Sequence, residues 1–150
     1  MGKEQGQPPG RCVPETDRSL FLRRLMRRLI STGSPFEATM GYSRAVVQGD
    51  WCFLSGVTGY DYAAMTLPNV FEDQVNNCFK TIFEVLREAD FPKDSICKVQ
   101  YILADRGLVQ TVAPLLGRHL GEVRPAATMI IAGLIEPQML IEIDVTAFKG

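Results

Sequence analysis

A single histidine, His119, is all that this chain of 150 residues contains, and its four cysteines, Cys12, Cys52, Cys78 and Cys97, form no C-x-x-C pair. Zinc sites draw on clusters of those two side chains at short spacing, so no metal centre is expected. Three of the four cysteines fall inside apolar segments, which reads as small buried thiols in a reducing, cytoplasmic compartment rather than a disulfide framework. No apolar run reaches the roughly 18 residues that a membrane span requires. Sixteen Lys and Arg against 17 Asp and Glu leave a net charge of -1, so nothing draws the whole chain to nucleic acid or to an anionic membrane. What is present is a 46% hydrophobic content, enough at this length to bury the core of one globular domain.

The first 17 residues are rich in Gly, Pro, Gln and charge and carry no apolar periodicity. They read as a tail, and residues 1–25 as a flexible extension ahead of a domain over 26–150. Ser19 to Ile30 fits two readings. One is a basic amphipathic helix suited to a membrane surface or to targeting. The other takes Met26 as a start and Arg27 to Ser31 as the first strand; it is preferred because Glu4, Glu15 and Asp17 are atypical of a transit peptide.

Beyond a loop signal at Gly33-Ser34-Pro35-Phe36, two apolar runs, Met40 to Gln48 and Trp51 to Val57, flank Gly49-Asp50 and predict a β-hairpin. The second run ends at Ser55-Gly56, where the missing side chain admits a ligand or another backbone. Phe71, Val75, Cys78, Phe79, Ile82, Phe83 and Leu86 then recur at helical spacing, with Asn69 and Glu72 placed as a capping box and Pro92 closing the element. Ile96 to Leu103 reads as a strand. Leu108, Val112, Leu115, Leu116 and Leu120 make a second helical stripe, bent at Pro114, with His119 near its end as a capping or surface cation.

The chain ends in two strand-like runs, Ala126 to Ala132 and Leu140 to Phe148, separated by a turn at Glu136-Pro137. Arg124 stands at the mouth of the first and Glu142 inside the second, and packing alone explains neither. They are the candidate site. Strands mixed with two helices predict an α+β fold with both helices on one face of a mixed sheet. Because Ala126 to Ala132 is apolar on both faces, the uncovered face calls for another subunit.

Gly41-Tyr42-Ser43-Arg44-Ala45-Val46, Phe53-Leu54-Ser55-Gly56, Arg124-Pro125-Ala126-Ala127-Thr128 and Ile141-Glu142-Ile143-Asp144, in that order, resemble the reactive intermediate deaminase family, the Rid or YjgF-like proteins. The resemblance spans Leu29 to Phe148. It implies a chorismate-mutase-like subunit, a homotrimer whose sheets pack into a central barrel, and a ligand cleft between neighbouring subunits. It also implies hydrolysis of enamines and imines, such as 2-aminoacrylate, to a 2-keto acid and ammonia, without a cofactor. Arg124 matches the family's carboxylate-binding arginine, Tyr42 its site tyrosine, Gly56 the glycine that closes the cleft and Glu142 its glutamate. The chain differs from the pattern in Ala126, where many members carry cysteine or threonine, with Thr128 the nearest hydroxyl on that face. It differs also in Arg106 ahead of the second helix, and in Arg44 where many members have glutamine.

Those residues make chemical sense together. A guanidinium presents two parallel donors to a carboxylate, so Arg124 can clamp a small 2-imino acid. Glu142, with its pKa raised by partial burial, can deprotonate the attacking water. The Ser55-Gly56 backbone can bind the substrate or the developing amino group, and Tyr42 supplies a hydroxyl and an aromatic wall. The plainer reading is that Arg124 and Glu142 merely pair across adjacent strands. A non-catalytic trimer that binds small carboxylates as a metabolite sensor is the competing function. RNA cleavage has little support, since the core from Leu29 to Gly150 lacks a basic stripe and a pair of histidines.

Overall fold

The computed structural model describes residues 26–150 together with Arg18, Phe21, Leu22 and Leu25. The tail over residues 1–17 lies outside the described residues, as do Ser19, Leu20, Arg23 and Arg24 of the alternative basic helix, whose Phe21, Leu22 and Leu25 are helical. The last four positions of that helix are strand instead.

Six strands form one sheet in the order β1-β2-β3-β6-β4-β5: β1 (Arg27–Ile30), β2 (Ala45–Gln48), β3 (Trp51–Thr58), β4 (Ile96–Leu103), β5 (Ala126–Ile131) and β6 (Ile141–Phe148). All pairings are antiparallel except β4 with β5. The sheet is therefore mixed, and the fold α+β, as the sequence order indicates. Gln48 pairs with Trp51, so Gly49 and Asp50 make a two-residue hairpin turn, with Gly49 at φ 60. The hairpin's first arm is shorter than expected, however. Met40 ends a helix, α1 (Pro35–Met40), which Ser34 caps by accepting from the Phe36 amide and Gly41 closes at φ 70. Ser-Pro followed by Gly is a helix start and stop signal that the loop reading passed over.

β3 likewise does not end at Ser55-Gly56. It continues to Thr58 through a bulge between Leu54 and Val57 that takes Ser55 and Gly56 out of register with β6. Two longer helices, α2 (Phe71–Glu88) and α3 (Val109–Leu120), cover one face of the sheet. The α2 stripe packs as its spacing indicates: Val75, Cys78, Phe79 and Ile82 are fully buried against Val57, Val99, Ile141 and Ile143 of the sheet. The Asn69–Glu72 capping box does not form, since Val70 is the capping residue and offers no side-chain acceptor. α3 runs through Pro114, preceded by a 3-10 turn at Arg106–Leu108. Phe79→Ala is expected to lower unfolding free energy by about 3–5 kcal/mol, read as a drop in the urea midpoint.

Side chains on β6 alternate as predicted. Ile141, Ile143, Val145 and Ala147 are buried, while Glu142, Asp144 and Thr146 lie half-buried on the opposite face. Neither α2 nor α3 lies on that opposite face. Trp51, Phe53 and Phe148 stand exposed on it in contact, with ring centroids 4.6 Å (Trp51–Phe148) and 6.0 Å (Trp51–Phe53) apart. Every residue of β5 is exposed, Met129, Ile130 and Ile131 among them. Cys52 and Cys78 are buried free thiols, but Cys97 is exposed, contrary to the reading of the cysteines as core.

Candidate functional site

Glu142 and Gly56 meet at the β3–β6 bulge. A methyl group built on Gly56 would collide with the Glu142 carboxylate, so the glycine is what lets that carboxylate lie where it does. Around this point a cavity of about 260 Å³ opens between α1, β3 and the loop before β6, lined by Phe36, Met40, Tyr42, Ser55, Gly56, Thr58, Tyr62, Ile135, Glu136, Met139 and Glu142. Four of the sequence candidates, Tyr42, Ser55, Gly56 and Glu142, share this pocket. The Ser55 hydroxyl is committed to the Ser43 carbonyl at 2.7 Å and the Ser55 amide to the Arg44 carbonyl at 2.9 Å, so that residue mainly ties β3 to the segment before β2. Another cavity of about 220 Å³, beside Tyr60, Lys80 and Glu84, brings none of the candidates together.

Burial, reinforced by the nearby charge of Asp144, raises the Glu142 pKa above the usual carboxylate value, while the Arg44 guanidinium opposes the rise. Burial also raises Asp144, against the pull of Lys98. Tyr42 is likewise raised by burial, so its hydroxyl keeps its proton. Glu142 is thus a carboxylate of increased basicity facing an apolar cavity, the combination a general base requires.

Arg124, Thr128 and Arg106 lie elsewhere. Glu142 is level with Ile102 of β4, and Ile102 with Ile130 of β5. Arg124 is six residues upstream of Ile130, a distance on the order of 20 Å along the strand, with β4 intervening. The two charges cannot pair within one chain, which rules out the plainer cross-strand reading; β5 and β6 are not adjacent. Arg124 sits just after α3 at φ 51, its amide bonded to the Leu120 carbonyl at 2.9 Å and its exposed side chain to the Gly121 carbonyl at 3.2 Å. A left-handed conformation in a residue with a side chain is uncommon and costs roughly 1 kcal/mol or more. Thr128 is exposed and accepts from Lys98 Nζ at 2.7 Å, and Arg106 is exposed in the 3-10 turn.

Three residues that position the pocket went unassigned in the sequence. Gln74, fully buried, donates to the carbonyls of Pro68 and Gln138 and accepts from the Leu140 amide, fixing the loop that leads into β6. Its place on the α2 stripe, between Phe71 and Cys78, was the available signal. Glu37 accepts from the Thr32 hydroxyl and amide and from the Arg44 amide. Arg44 itself is fully buried behind the pocket. His119 also departs from its reading as a helix-end cation: it stacks on Phe79 at 4.2 Å, bonds Asn76 at 3.0 Å, and burial lowers its pKa.

Residues 32–149 match the family described as endoribonuclease L-PSP. The chain belongs to that family. The Rid and YjgF-like resemblance in the motifs is thereby borne out. The chain is similar to an uncharacterized protein of Streptomyces coelicolor, 27% identical over 82% of this chain and 92% of that one. It is similar also to a human 2-iminobutanoate/2-iminopropanoate deaminase, 26% identical over 84% of this chain and 93% of the other. Among solved structures, a member of the YjgF/YER057c/UK114 family from Mycobacterium tuberculosis superposes with a TM-score of 0.75 at 26% identity, covering 83% of this chain and all of that one.

Among the described residues no helix is long and apolar enough to cross a membrane, and no three His, Cys, Asp or Glu side chains gather as metal ligands.

Proposed function

We propose that this protein hydrolyses small 2-imino or enamine acids, of the 2-aminoacrylate kind, to 2-keto acids and ammonia, in clefts between the subunits of a homotrimer. The observation that carries this reading is the split of the candidate residues. A base-like Glu142 sits in an apolar pocket with no cation in its lining that could take a substrate carboxylate. The exposed Arg124 lies at the far side of the same sheet. A second copy covering the open face, where Trp51, Phe53, Phe148 and β5 are exposed, buries apolar surface and brings its own Arg124 to the pocket.

Arg124 of one subunit then clamps the substrate carboxylate, and Thr128 and Arg106 line the same wall. Glu142 of the neighbour takes a proton from water as its oxygen attacks the imine carbon. Glu142 returns that proton to the nitrogen, giving a carbinolamine that collapses as its hydroxyl proton passes to the nitrogen, so that ammonia departs and the keto acid remains. An enamine substrate first gains a proton on its terminal carbon and loses one from nitrogen to become the imine. Tyr42 and the Gly56 amide, out of register with β6, orient the nitrogen end. Imines already hydrolyse in water, so positioning and one base suffice and no cofactor is needed. The human relative's name is that of a deaminase of this class. The family's ribonuclease description fits these residues poorly: phosphodiester cleavage usually draws on histidine pairs, and His119 is packed between α2 and α3.

The test is a coupled assay in which 2-aminoacrylate or 2-iminobutyrate is generated enzymatically and its decay followed with and without the protein. Faster release of keto acid supports the reading. Ligand binding with no acceleration would point instead to a carboxylate-binding sensor. Gly56→Ala, whose methyl displaces Glu142, is expected to cut kcat/KM by roughly 10²-fold in that assay, with the far-ultraviolet spectrum unchanged.

A further inference from the structure

Arg44 is among the largest side chains in the molecule with no solvent exposure at all. Burying a guanidinium is expensive unless its donors and charge are met. Here the terminal nitrogens go to neutral oxygens: Nη1 donates to the Gly56 carbonyl at 2.9 Å and Nη2 to the Tyr42 hydroxyl at 3.3 Å. Nε has no hydrogen-bond partner among the described residues. The guanidinium lies 4.5 Å from the centre of the Tyr62 ring and 5.6 Å from that of Tyr42. The three residues that the guanidinium touches, Gly56, Tyr42 and Tyr62, all line the pocket, while the Glu37 carboxylate feels its charge from outside the pocket. A cation placed for core stability alone has no reason to gather the pocket's glycine and both its flanking tyrosines.

We propose that Arg44 is the positioning residue of this site: from behind the pocket it fixes the Gly56 carbonyl and the Tyr42 hydroxyl and presents a permanent positive charge to Glu142. Because Tyr42 accepts from Arg44, its own hydrogen is left to point into the cavity as a donor to the ligand. Because the Gly56 carbonyl is drawn to Nη1, the glycine is held against the Glu142 carboxylate. The charge also restrains the rise in Glu142 basicity that burial and Asp144 impose. The groups facing Glu142 among the described residues are Asp144 on its own strand, Arg44 and Tyr42 ahead of β2, Tyr62 in the loop after β3, Cys78 on α2 and Glu136 in the pocket rim, with Lys98 of β4 acting on Asp144. Among the described residues that bear on Glu142 directly, Arg44 is the one cation.

The inference rests on the role given to Glu142 above, and its test is a titration that needs no substrate. The Glu142 side-chain carboxyl is followed by carbon-13 NMR against pH in the wild type, Arg44→Gln and Arg44→Lys. In Arg44→Gln the midpoint is expected to move up, and in Arg44→Lys to stay near the wild-type position, since lysine keeps the charge while losing the two-pronged hold. Where turnover is measurable, the acid limb of kcat/KM shifts with it. An unchanged midpoint in Arg44→Gln overturns the proposal, whatever the loss of activity or thermal stability, because a purely structural arginine gives that loss without the shift. If neither variant folds, the wild type still decides: the Arg44 Nε–H resonance is expected to move as Glu142 titrates, and a resonance indifferent to that step contradicts the assignment. A shifted midpoint in a protein that hydrolyses no imine supports the part given to Arg44 and overturns the deaminase reading alone.

Discussion

Arg124→Ala is expected to lower kcat/KM for a 2-imino acid by roughly 30-fold to several thousand-fold, the equivalent of about 2–5 kcal/mol lost when one partner of a desolvated charge pair is truncated. The exposed position of Arg124 in the single chain is what makes the result informative. Its exposed side chain bonds the Gly121 carbonyl, so removing it is expected to leave the fold of the chain intact and the thermal midpoint nearly unchanged. Arg124→Lys is expected to recover little, because a single ammonium cannot meet both carboxylate oxygens in one plane. The check is steady-state kinetics in the coupled imine assay beside thermal unfolding of the same samples. Equal activity in wild type and Arg124→Ala would remove the carboxylate clamp from the mechanism.

Glu142→Gln is expected to lower kcat by about 10²–10⁴-fold, the usual worth of a positioned general base. Glutamine keeps the shape beside Gly56, so ligand binding should survive and KM should change far less than kcat. In the wild type the same carboxyl sets a pH dependence whose sign is fixed by its environment. Burial and Asp144 hold its pKa above the usual value, so the base is present above that raised pKa and is lost as pH falls through it. The acid limb of kcat/KM therefore lies at higher pH than an exposed glutamate would give. The variant should lack that limb, and a limb at the same pH in Glu142→Gln would assign it to another group.

The two long helices and the hairpin turn were legible because burial imposes a period on the sequence: the α2 stripe is buried from Val75 to Leu86, with Phe71 and Phe83 half-buried at its margin, and the β6 alternation from Ile141 to Ala147 is buried as read. Strand adjacency was not legible in the same way. Arg124 and Glu142 are 18 residues apart and read as neighbours across a turn, yet β4 intervenes between their strands. Which strand inserts where is decided by long-range pairing, and no local pattern records it. Local rules also competed at Gly33-Ser34-Pro35-Phe36, where the same residues signal a loop and a helix start, and the second won because Ser34 finds the Phe36 amide.

At the site, the split is instructive. Gly56 and Glu142 were found from motif and chemistry, and geometry brings them into contact. Arg44 was visible only as a difference from the family pattern, and its side chain, buried behind Gly56 and Tyr42, holds the carbonyl of a residue in the β3 bulge, a long-range contact that no local pattern records. Gln74 was hidden within an apolar stripe, although a lone amide there asks which backbone groups it satisfies.

The arrangement across subunits is tested most directly by mixing two disabled proteins. Arg124→Ala and Glu142→Gln subunits are unfolded together in equal amounts, refolded, and assayed for imine hydrolysis beside each variant refolded alone. With Arg124 supplied by one subunit and Glu142 by its neighbour, random assembly makes about one quarter of the clefts fully wild type, and activity returns to about that fraction of the native level. If both residues served one cleft from one chain, no mixture would contain an intact site, and an activity no greater than the mean of the two variants would contradict the inter-subunit deaminase.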